Sequence, residues 1–176
     1  AGDQAVFYDS SGDECFTTSL SFSQMTGPGY DVIAHGFPFV RAYSTNGGTD
    51  RVHFVDSIMK DEFAFKPHKS ELFDQVTGGT IYHIIARAFE RVLAEAAIGT
   101  GGRDKAAIWD TVFSDDVQAF GERLTLTRMT PRPELLLEIQ GFEFVKVRPS
   151  SDGEDRVSVL LPLEMELIIG EGWRTI

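Results

Sequence analysis

The stretch that decides the predicted fold is RVSVLLPLEMELII, residues 156–169. Every odd position from Val157 to Ile169 is apolar, while the even positions begin with Arg156 and include two glutamates. Because side chains of a strand alternate between its two faces, this period of two predicts a single β-strand. At about 3.3 Å per residue such a strand extends ~43 Å, which is long enough to form a major wall of a sheet or barrel.

The second face of this predicted strand is less regular than the first. Leu160, Pro162 and Ile168 interrupt what is otherwise a polar row. We predict that these three residues lie at a sheet edge or contact a neighbouring subunit, since an apolar residue on a solvated face marks an interface. Trp173 is a fourth interface candidate, because aromatic residues are enriched in packed protein interfaces.

The middle of the chain changes period. Ile81, Ile84, Ala88 and Val92 recur at helical spacing, and Gly99 is suited to end a helix. These positions predict one main amphipathic helix over about residues 80–98, with one or two further short helices within residues 104–120.

Shorter alternating segments on both sides of this region predict further strands. At Gly141 the apolar phase shifts by one residue, which predicts a bulge, and Asp152-Gly153 predicts a hairpin turn into the long strand. Without a repeating strand–helix–strand order there is little case for a parallel sheet. The predicted fold is therefore α+β and mainly antiparallel: a barrel or sandwich with the helix packed on it, in a single domain of residues 1–176 and without internal repeats.

Composition and charge narrow the classes of function. Sixteen basic against twenty-seven acidic residues give a net charge of −11, which disfavours tight binding to nucleic acid. No apolar run is long enough for a membrane helix, and neither a membrane partner nor a signal peptide is expected. Cys15 is the only cysteine, so an intrachain disulfide and a multi-cysteine zinc site are excluded.

The strongest candidate for chemistry surrounds His53. Asp56, Asp61 and Glu62 follow closely, and together these residues could gather one metal ion or form a general base with its orienting group. However, residues three apart on a strand point to opposite faces, so His53 and Asp56 reach one ion only if the chain bends between them.

The other signals for chemistry are weaker. The acidic segment 9–14 lacks the alternating ligands of a calcium loop and predicts a turn. No nucleophile or zinc-hydrolase motif occurs. We therefore predict a non-enzymatic protein with no catalytic, cofactor-binding or metal-binding residues and no cofactor.

Eleven arginines against five lysines, together with fourteen phenylalanines, favour an interface-forming protein. Phenylalanine filling the core is an equally good explanation of the same composition. A long strand also leaves edges that need a partner unless the sheet closes. Self-association into a homo-oligomer, together with other assembly proteins, is the predicted partnership.

One family shares this C-terminal pattern. A strand over residues 134–147 with GFEFV at 141–145, a polar turn and the alternating run resembles the closing hairpin of phage tail-tube proteins and the related type VI secretion tube protein. Those proteins are small β-barrels with a helix midway along the chain, and they stack as rings into a hollow tube. The resemblance implies a structural subunit of a ring, tube or shell, most plausibly a phage tail or virion component, located in the virion.

A second interpretation stays open. In this interpretation the chain is a cytoplasmic protein, either a β-barrel that binds a small ligand or an acid–base enzyme. Its site lies near His53 and Asp56.

Overall fold

A computed structural model describes residues 2–74, 82–97, 103–129, 134–149 and 154–176, and within these ranges the chain forms eighteen strands in two sheets and no helix. The first sheet contains, in spatial order, β1 (Gln4–Tyr8), β5 (Phe39–Tyr43), β9 (His83–Arg87), β8 (Lys69–Asp74), β7 (Asp61–Lys66), β11 (Lys105–Trp109), β15 (Phe144–Arg148) and β17 (Glu166–Ile169). The second contains β18 (Arg174–Thr175), β16 (Arg156–Leu163), β12 (Asp115–Gly121), β13 (Arg123–Arg128), β14 (Glu134–Gln140), β10 (Arg91–Glu95), β6 (Arg51–Val55), β2 (Cys15–Thr18), β3 (Phe22–Gly27) and β4 (Tyr30–His35).

Most neighbouring strands in both sheets are parallel. Only β8 in the first sheet and β3 and β13 in the second run against their neighbours. The chain steps repeatedly from the first sheet to the second, as in β1–β2, β5–β6, β9–β10, β11–β12, β15–β16 and β17–β18. These steps are the coils of a solenoid-like structure, in which stacked coils share one core.

The core lies between the two sheets and is rich in phenylalanine. Phe54 of β6 and Phe63 of β7 belong to different sheets, and their ring centroids are 5.5 Å apart. Phe142, just before β15, packs its ring 5.9 Å from that of Phe63. All three side chains are buried, and full burial of such a side chain stabilises the fold by about 1.5–3 kcal/mol. Aromatic packing across the sheets therefore holds the coils together.

The prediction of a main helix over residues 80–98 is wrong, and with it the α+β fold class. Residues 83–87 and 91–95 are the strands β9 and β10, and residues 80, 81 and 98 lie outside the described ranges. The buried side chains occupy even positions in both strands, Ile84 and Ala86 in β9 and Val92 and Ala94 in β10, and the corner at Ala88, with a φ of +65°, keeps that phase. Because spacings of four and eight residues fit a period of two as well as a helix, two strands in the same phase imitate a helical spacing. The short helices predicted within residues 104–120 are likewise β11 and β12.

The prediction of one long strand over residues 156–169 is also wrong. Its two halves, β16 and β17, belong to different sheets. Between them the amide of Glu164 donates to the carbonyl of Gly121 (2.9 Å), and Met165 is buried. Alternation continues through this corner because an inward-facing residue, Met165, occupies it. The strict pattern therefore indicated two strands and the turn that joins them.

The predicted antiparallel hairpin is absent from the described residues. β15 pairs with β11 and β17, and β16 pairs in parallel with β12. Gly141, with a φ of +80°, is a corner between β14 and β15 rather than a bulge, and its amide donates to the carbonyl of Glu122 (3.0 Å). Asp152 and Gly153 lie outside the described residues. The expectation of a mainly antiparallel fold fails because the coils stack in parallel.

Candidate functional site

A short acidic turn occurs three times among the described residues, each time at a corner between the two sheets. In each copy an Asp leaves a strand, a hydroxyl residue follows, and a second acid stands five residues after the Asp. The copies are Asp9-Ser10 with Glu14 after β1, Asp56-Ser57 with Asp61 after β6, and Asp110-Thr111 with Asp115 after β11. In each copy the amide of the second acid donates to a third acid from a later coil, so three carboxyl groups meet at every corner.

The second triad consists of Asp56, Asp61 and Asp104. Ser57 donates from its amide (2.8 Å) and its hydroxyl (2.7 Å) to Oδ2 of Asp61. The amide of Asp61 donates to Oδ1 of Asp104 (2.9 Å), and the amide of Ala97 donates to Oδ1 of Asp56. One oxygen from each of the three acids lies within 4.8 Å of the others.

Two carboxyl oxygens of this triad have no hydrogen-bond partner among the described residues. They are Oδ2 of Asp56 and Oδ1 of Asp61, whose residues are 6% and 1% exposed. Burial raises the pKa of Asp56 to about 8; the hydrogen bond from Ala97 lowers it, and the Asp104 and Asp61 carboxylates raise it. Burial also raises the pKa of Asp104. The corner therefore resists holding its full negative charge without a compensating group.

A tyrosine hydroxyl faces each of the first two triads outside hydrogen-bonding geometry. Burial raises the pKa of Tyr30 to about 12, and the Glu14 carboxylate of the first triad raises it further. Burial and the Asp61 carboxylate raise the pKa of Tyr82, whose side chain is only 1% exposed. Each of these two triads thus has a tyrosine hydroxyl beside its carboxylates, buried at the second triad and half-buried at the first.

The first triad, Asp9, Glu14 and Asp50, has more internal partners. Oδ2 of Asp9 accepts from the amide of Asn46 (2.7 Å), and Oδ1 of Asp9 accepts from its side-chain amide (2.8 Å). The Glu14 amide donates to Oδ1 of Asp50 (2.6 Å), and Ser10 donates to Oε1 of Glu14 (2.5 Å). One oxygen from each acid again lies within 4.8 Å of the others.

The third triad consists of Asp110, Asp115 and Asp155. The amide of Thr111 donates to Oδ2 of Asp115 (2.6 Å), and the amide of Asp115 donates to Oδ1 of Asp155 (3.0 Å). Burial raises the pKa of Asp155 to about 6, and the charge of Asp110 and a hydrogen bond from it raise it as well. The protonated form of Asp155 is therefore favoured at this corner.

The structure brings together only part of the predicted group around His53. Asp56 and Asp61 meet in the second triad, whereas Nε2 of His53 lies 2.9 Å from Oε2 of Glu95 on the neighbouring strand. Glu62 follows Asp61 on β7, and strand alternation directs the two side chains to opposite faces. The bend after β6 gathers the acids and leaves the histidine on the surface.

Asp104 is the residue that the sequence analysis missed. The signal for it is a second repeated pattern, an aspartate followed by a basic residue at the start of a strand. It occurs as Asp50-Arg51, Asp104-Lys105 and Asp155-Arg156. Aligning this pattern with the Asp-Ser/Thr turns would have revealed the internal repeat that we expected to be absent. Segment 9–14 forms the predicted turn, and its two outer acids join Asp50.

The four predicted interface residues lie near one end of the molecule. Leu160 is 60% exposed and lies opposite Phe120, which is 61% exposed, in the β12–β16 pair. Pro162 and Ile168 are exposed, and Trp173 is half-buried against the core. Their role in an interface stays a prediction.

A cavity of about 420 Å³ opens beside another corner. Its wall combines aromatic and aliphatic side chains with basic and acidic ones; Phe89, Phe113, Leu136, Lys66, Arg128 and Glu134 are among them. His68 and Ala88, which both line it, have a φ of +65°, and the Ala88 amide donates to the His68 carbonyl (3.0 Å). Positive φ in residues other than glycine is strained and is frequent around binding sites.

Comparisons with known proteins found no matching family model, no matching curated protein and no matching solved structure. Within the described residues, no helix has the length and apolar character required to cross a membrane.

Proposed function

We propose that this chain is a non-enzymatic structural module that associates end to end with further copies of itself. The observation that carries the proposal is the state of the outermost strands. Among the described strands, β1 and β17 in the first sheet and β4 and β18 in the second have a neighbour on one side only. Unpaired amides and carbonyls along such edges are templates for pairing with another chain.

Strand direction favours a head-to-tail arrangement. The ladder of pairings makes β1 parallel to β17 and β4 parallel to β18. The β1 and β4 edges belong to the early coils, whereas β17 and β18 belong to the last ones. A second copy can therefore place its β1 and β4 beside β17 and β18 of the first, and both sheets then continue in parallel from one copy to the next. Such a head-to-tail contact uses different surfaces on the two partners and can therefore repeat. It produces a ring if the rotation between successive copies closes, and a filament if it does not.

The edges carry little protection against pairing. β1 has no charged residue, and β4 exposes Val32 and Ile33 on its two faces. Natural edge strands are usually blunted by lysine, proline or a bulge. At the other end of the molecule Pro162 of β16 has no amide hydrogen to donate to a neighbouring strand. We therefore expect Leu160 of β16 and Ile168 of β17 to contribute side-chain contacts there rather than a full ladder of backbone hydrogen bonds.

The resemblance to tail-tube proteins gives this proposal no support. It depended on a long closing hairpin and a central helix, and neither is found in the described part of the chain. The proposal depends on the sheet edges alone and names no virus or secretion system.

Replacing an exposed apolar residue on the β4 edge should prevent assembly. We expect Ile33→Lys, at a side chain that is 50% exposed, to reduce the mean oligomer size at least about fivefold, because pairing would bury the new charge. Sedimentation velocity and negative-stain electron microscopy across a concentration series measure the effect.

Ile58→Lys is the matched control, because Ile58 is 73% exposed and lies in a loop between β6 and β7. It should assemble like the unmodified chain. A monomeric unmodified chain at high concentration, or equal assembly by both variants, contradicts the proposal.

A second function, binding of a small amphiphilic anion, is favoured by the cavity lined with Phe89, Phe113 and Lys66. Arg128 and Lys69 in its lining are paired with Glu134 and Glu71, whereas Lys66 stands over the Trp109 ring, where it can meet the acidic group of a ligand with an aromatic or aliphatic body.

The probe for this second function is anilinonaphthalene sulfonate, an aromatic anion whose fluorescence rises on binding. Lys66→Gln should weaken its binding roughly fivefold through loss of one charge contact. Lys60→Gln, an exposed lysine outside the cavity lining, is the control. Equal affinities in the two variants contradict a site in this cavity.

A further inference from the structure

We propose that Asp56, Asp61 and Asp104 bind one divalent cation of the calcium class. This site is separate from the sheet edges and does not depend on end-to-end association. Its function is to clamp the corner where β6 ends and where β7 and β11 begin.

The first argument is the balance of charge in the triad. Three acids lie together in the protein interior, and Glu143 accepts a hydrogen bond from the Asp104 amide beside them (2.8 Å). None of these four carboxyl groups belongs to an ion pair found among the described residues. Because buried charges are normally paired or coordinated to a metal, the corner lacks a positive group.

The second argument is independent of the acidic cluster itself. The hydroxyl of Tyr82 is buried and faces Asp61, yet it has no hydrogen-bond partner among the described residues. Oδ2 of Asp56 and Oδ1 of Asp61 are also unpartnered. Three buried oxygen atoms that are all left unsatisfied at one point indicate a missing ligand, since native structures satisfy most such atoms.

Geometry and donor chemistry identify the class of ion. Calcium lies about 2.3–2.6 Å from its oxygen ligands, so two oxygens on opposite sides of it are about 4.6–5.2 Å apart. Oxygens of Asp56, Asp61 and Asp104 within 4.8 Å of one another match this spacing. All donors are hard oxygens, which excludes a preference for soft metals, and several carboxylates in an irregular buried site suit calcium better than magnesium.

The other triads are less suited to an ion. In the first, both oxygens of Asp9 accept hydrogen bonds from Asn46, and Oδ2 of Asp50 accepts from the Ser44 hydroxyl (2.5 Å). In the third, Asp110 bonds to Asp155. Oε2 of Glu14 in the first triad and Oδ1 of Asp115 in the third also have no hydrogen bond among the described residues, but only the second triad combines such oxygens, on Asp56 and Asp61, with the fully buried hydroxyl of Tyr82. We therefore expect one bound ion per chain.

The test uses the full chain freed of metal with a chelator and then titrated with calcium chloride in a calorimeter. We expect one equivalent to bind and saturating calcium to raise the melting temperature by roughly 5 °C, because only the folded state presents the site. Terbium should bind at the same point and show luminescence sensitised by Tyr82.

Asp56→Asn is the informative variant because its Oδ1 still accepts from Ala97, while the new amide group can donate to Asp61. It should fold, weaken calcium binding at least about tenfold and lose the calcium-dependent melting shift. Asp115→Asn is the control for loss of a buried carboxylate at a corner where we expect no ion; Asp115 holds in the third turn the position that Asp61 holds in the second and has equivalent bonds. Its calcium affinity should be unchanged.

Tyr82→Phe provides a readout that does not depend on replacing a carboxylate. It should abolish most of the sensitised terbium luminescence, because the nearby phenol is lost. The proposal is overturned if the unmodified chain shows neither calcium binding nor a melting shift, if Asp56→Asn retains full affinity, or if Asp115→Asn loses the response to the same extent.

Discussion

Phe63→Ala should lower the free energy of unfolding by about 4 kcal/mol, the largest effect expected of a single core substitution in this chain. Phe63 is fully buried and contacts Phe54 of the opposite sheet and Phe142 at a corner. Truncation removes the transfer free energy of the ring and leaves a cavity between coils. The rigid backbone ladders on both sides prevent that cavity from collapsing.

Urea denaturation followed by circular dichroism measures this effect. Phe120→Ala is the control, because the Phe120 ring is largely exposed on β12 and its loss should change the stability by less than about 0.5 kcal/mol. Similar losses of stability in the two variants would show that the core is not centred between the sheets.

Gly48→Ala should destabilise the protein by about 3 kcal/mol or more, through a backbone approach that only glycine permits. A Cβ atom on Gly48 would lie 1.7 Å from the carbonyl oxygen of Gly12, and the residue has a φ of +97°. The contact joins the turn before β6 to the turn before β2. Either the two turns separate or the first triad, to which both turns contribute acids, is distorted.

Gly47, next to Gly48, separates the effect of the positive φ from the effect of the close approach to Gly12. Gly47 has a φ of +102°, but a Cβ atom there meets nothing within 4 Å. Gly47→Ala should therefore cost only the backbone strain, about 1 kcal/mol. Thermal unfolding of both variants gives the comparison, and a cost for Gly48→Ala no larger than that for Gly47→Ala would refute the close approach.

Alternation of apolar residues correctly predicted extended structure wherever a segment lay within one strand. Residues 15–18, 51–55 and 156–163, each part of a longer alternating segment, are strands. The predictions failed at corners, because a corner can preserve the alternation, as at Ala88 and Met165, so that two strands resemble one element. Local periodicity contains no information on which sheet the next strand joins, and parallel pairing depends on coils far apart in sequence.

The candidate site shows the same limit. Asp56 and Asp61 lie close in sequence, and a bend was the stated condition for His53 and Asp56 to share an ion; the chain bends after β6 and gathers Asp56 and Asp61 without His53. Asp104 was beyond reach of this reasoning because its contact with Asp61 spans 43 positions of the chain. Such distant residues are related only by the recurrence of the Asp-Ser/Thr turns and of the Asp-Arg/Lys dipeptides. The residues between these short patterns differ from copy to copy, so the repeat is easily missed in one sequence.

The three triads also have a consequence for how the chain acquires its structure. Their backbone-to-carboxylate bonds join residues 36, 43 and 40 positions apart, so every corner is completed by an acid from a later coil. Closing loops of this length costs entropy before any contact compensates for it, and folding rates fall as the mean sequence separation of contacts rises. During synthesis, each of these corners therefore lacks its third acid until the later coil has been made. Folding of the growing chain consequently lags behind its elongation.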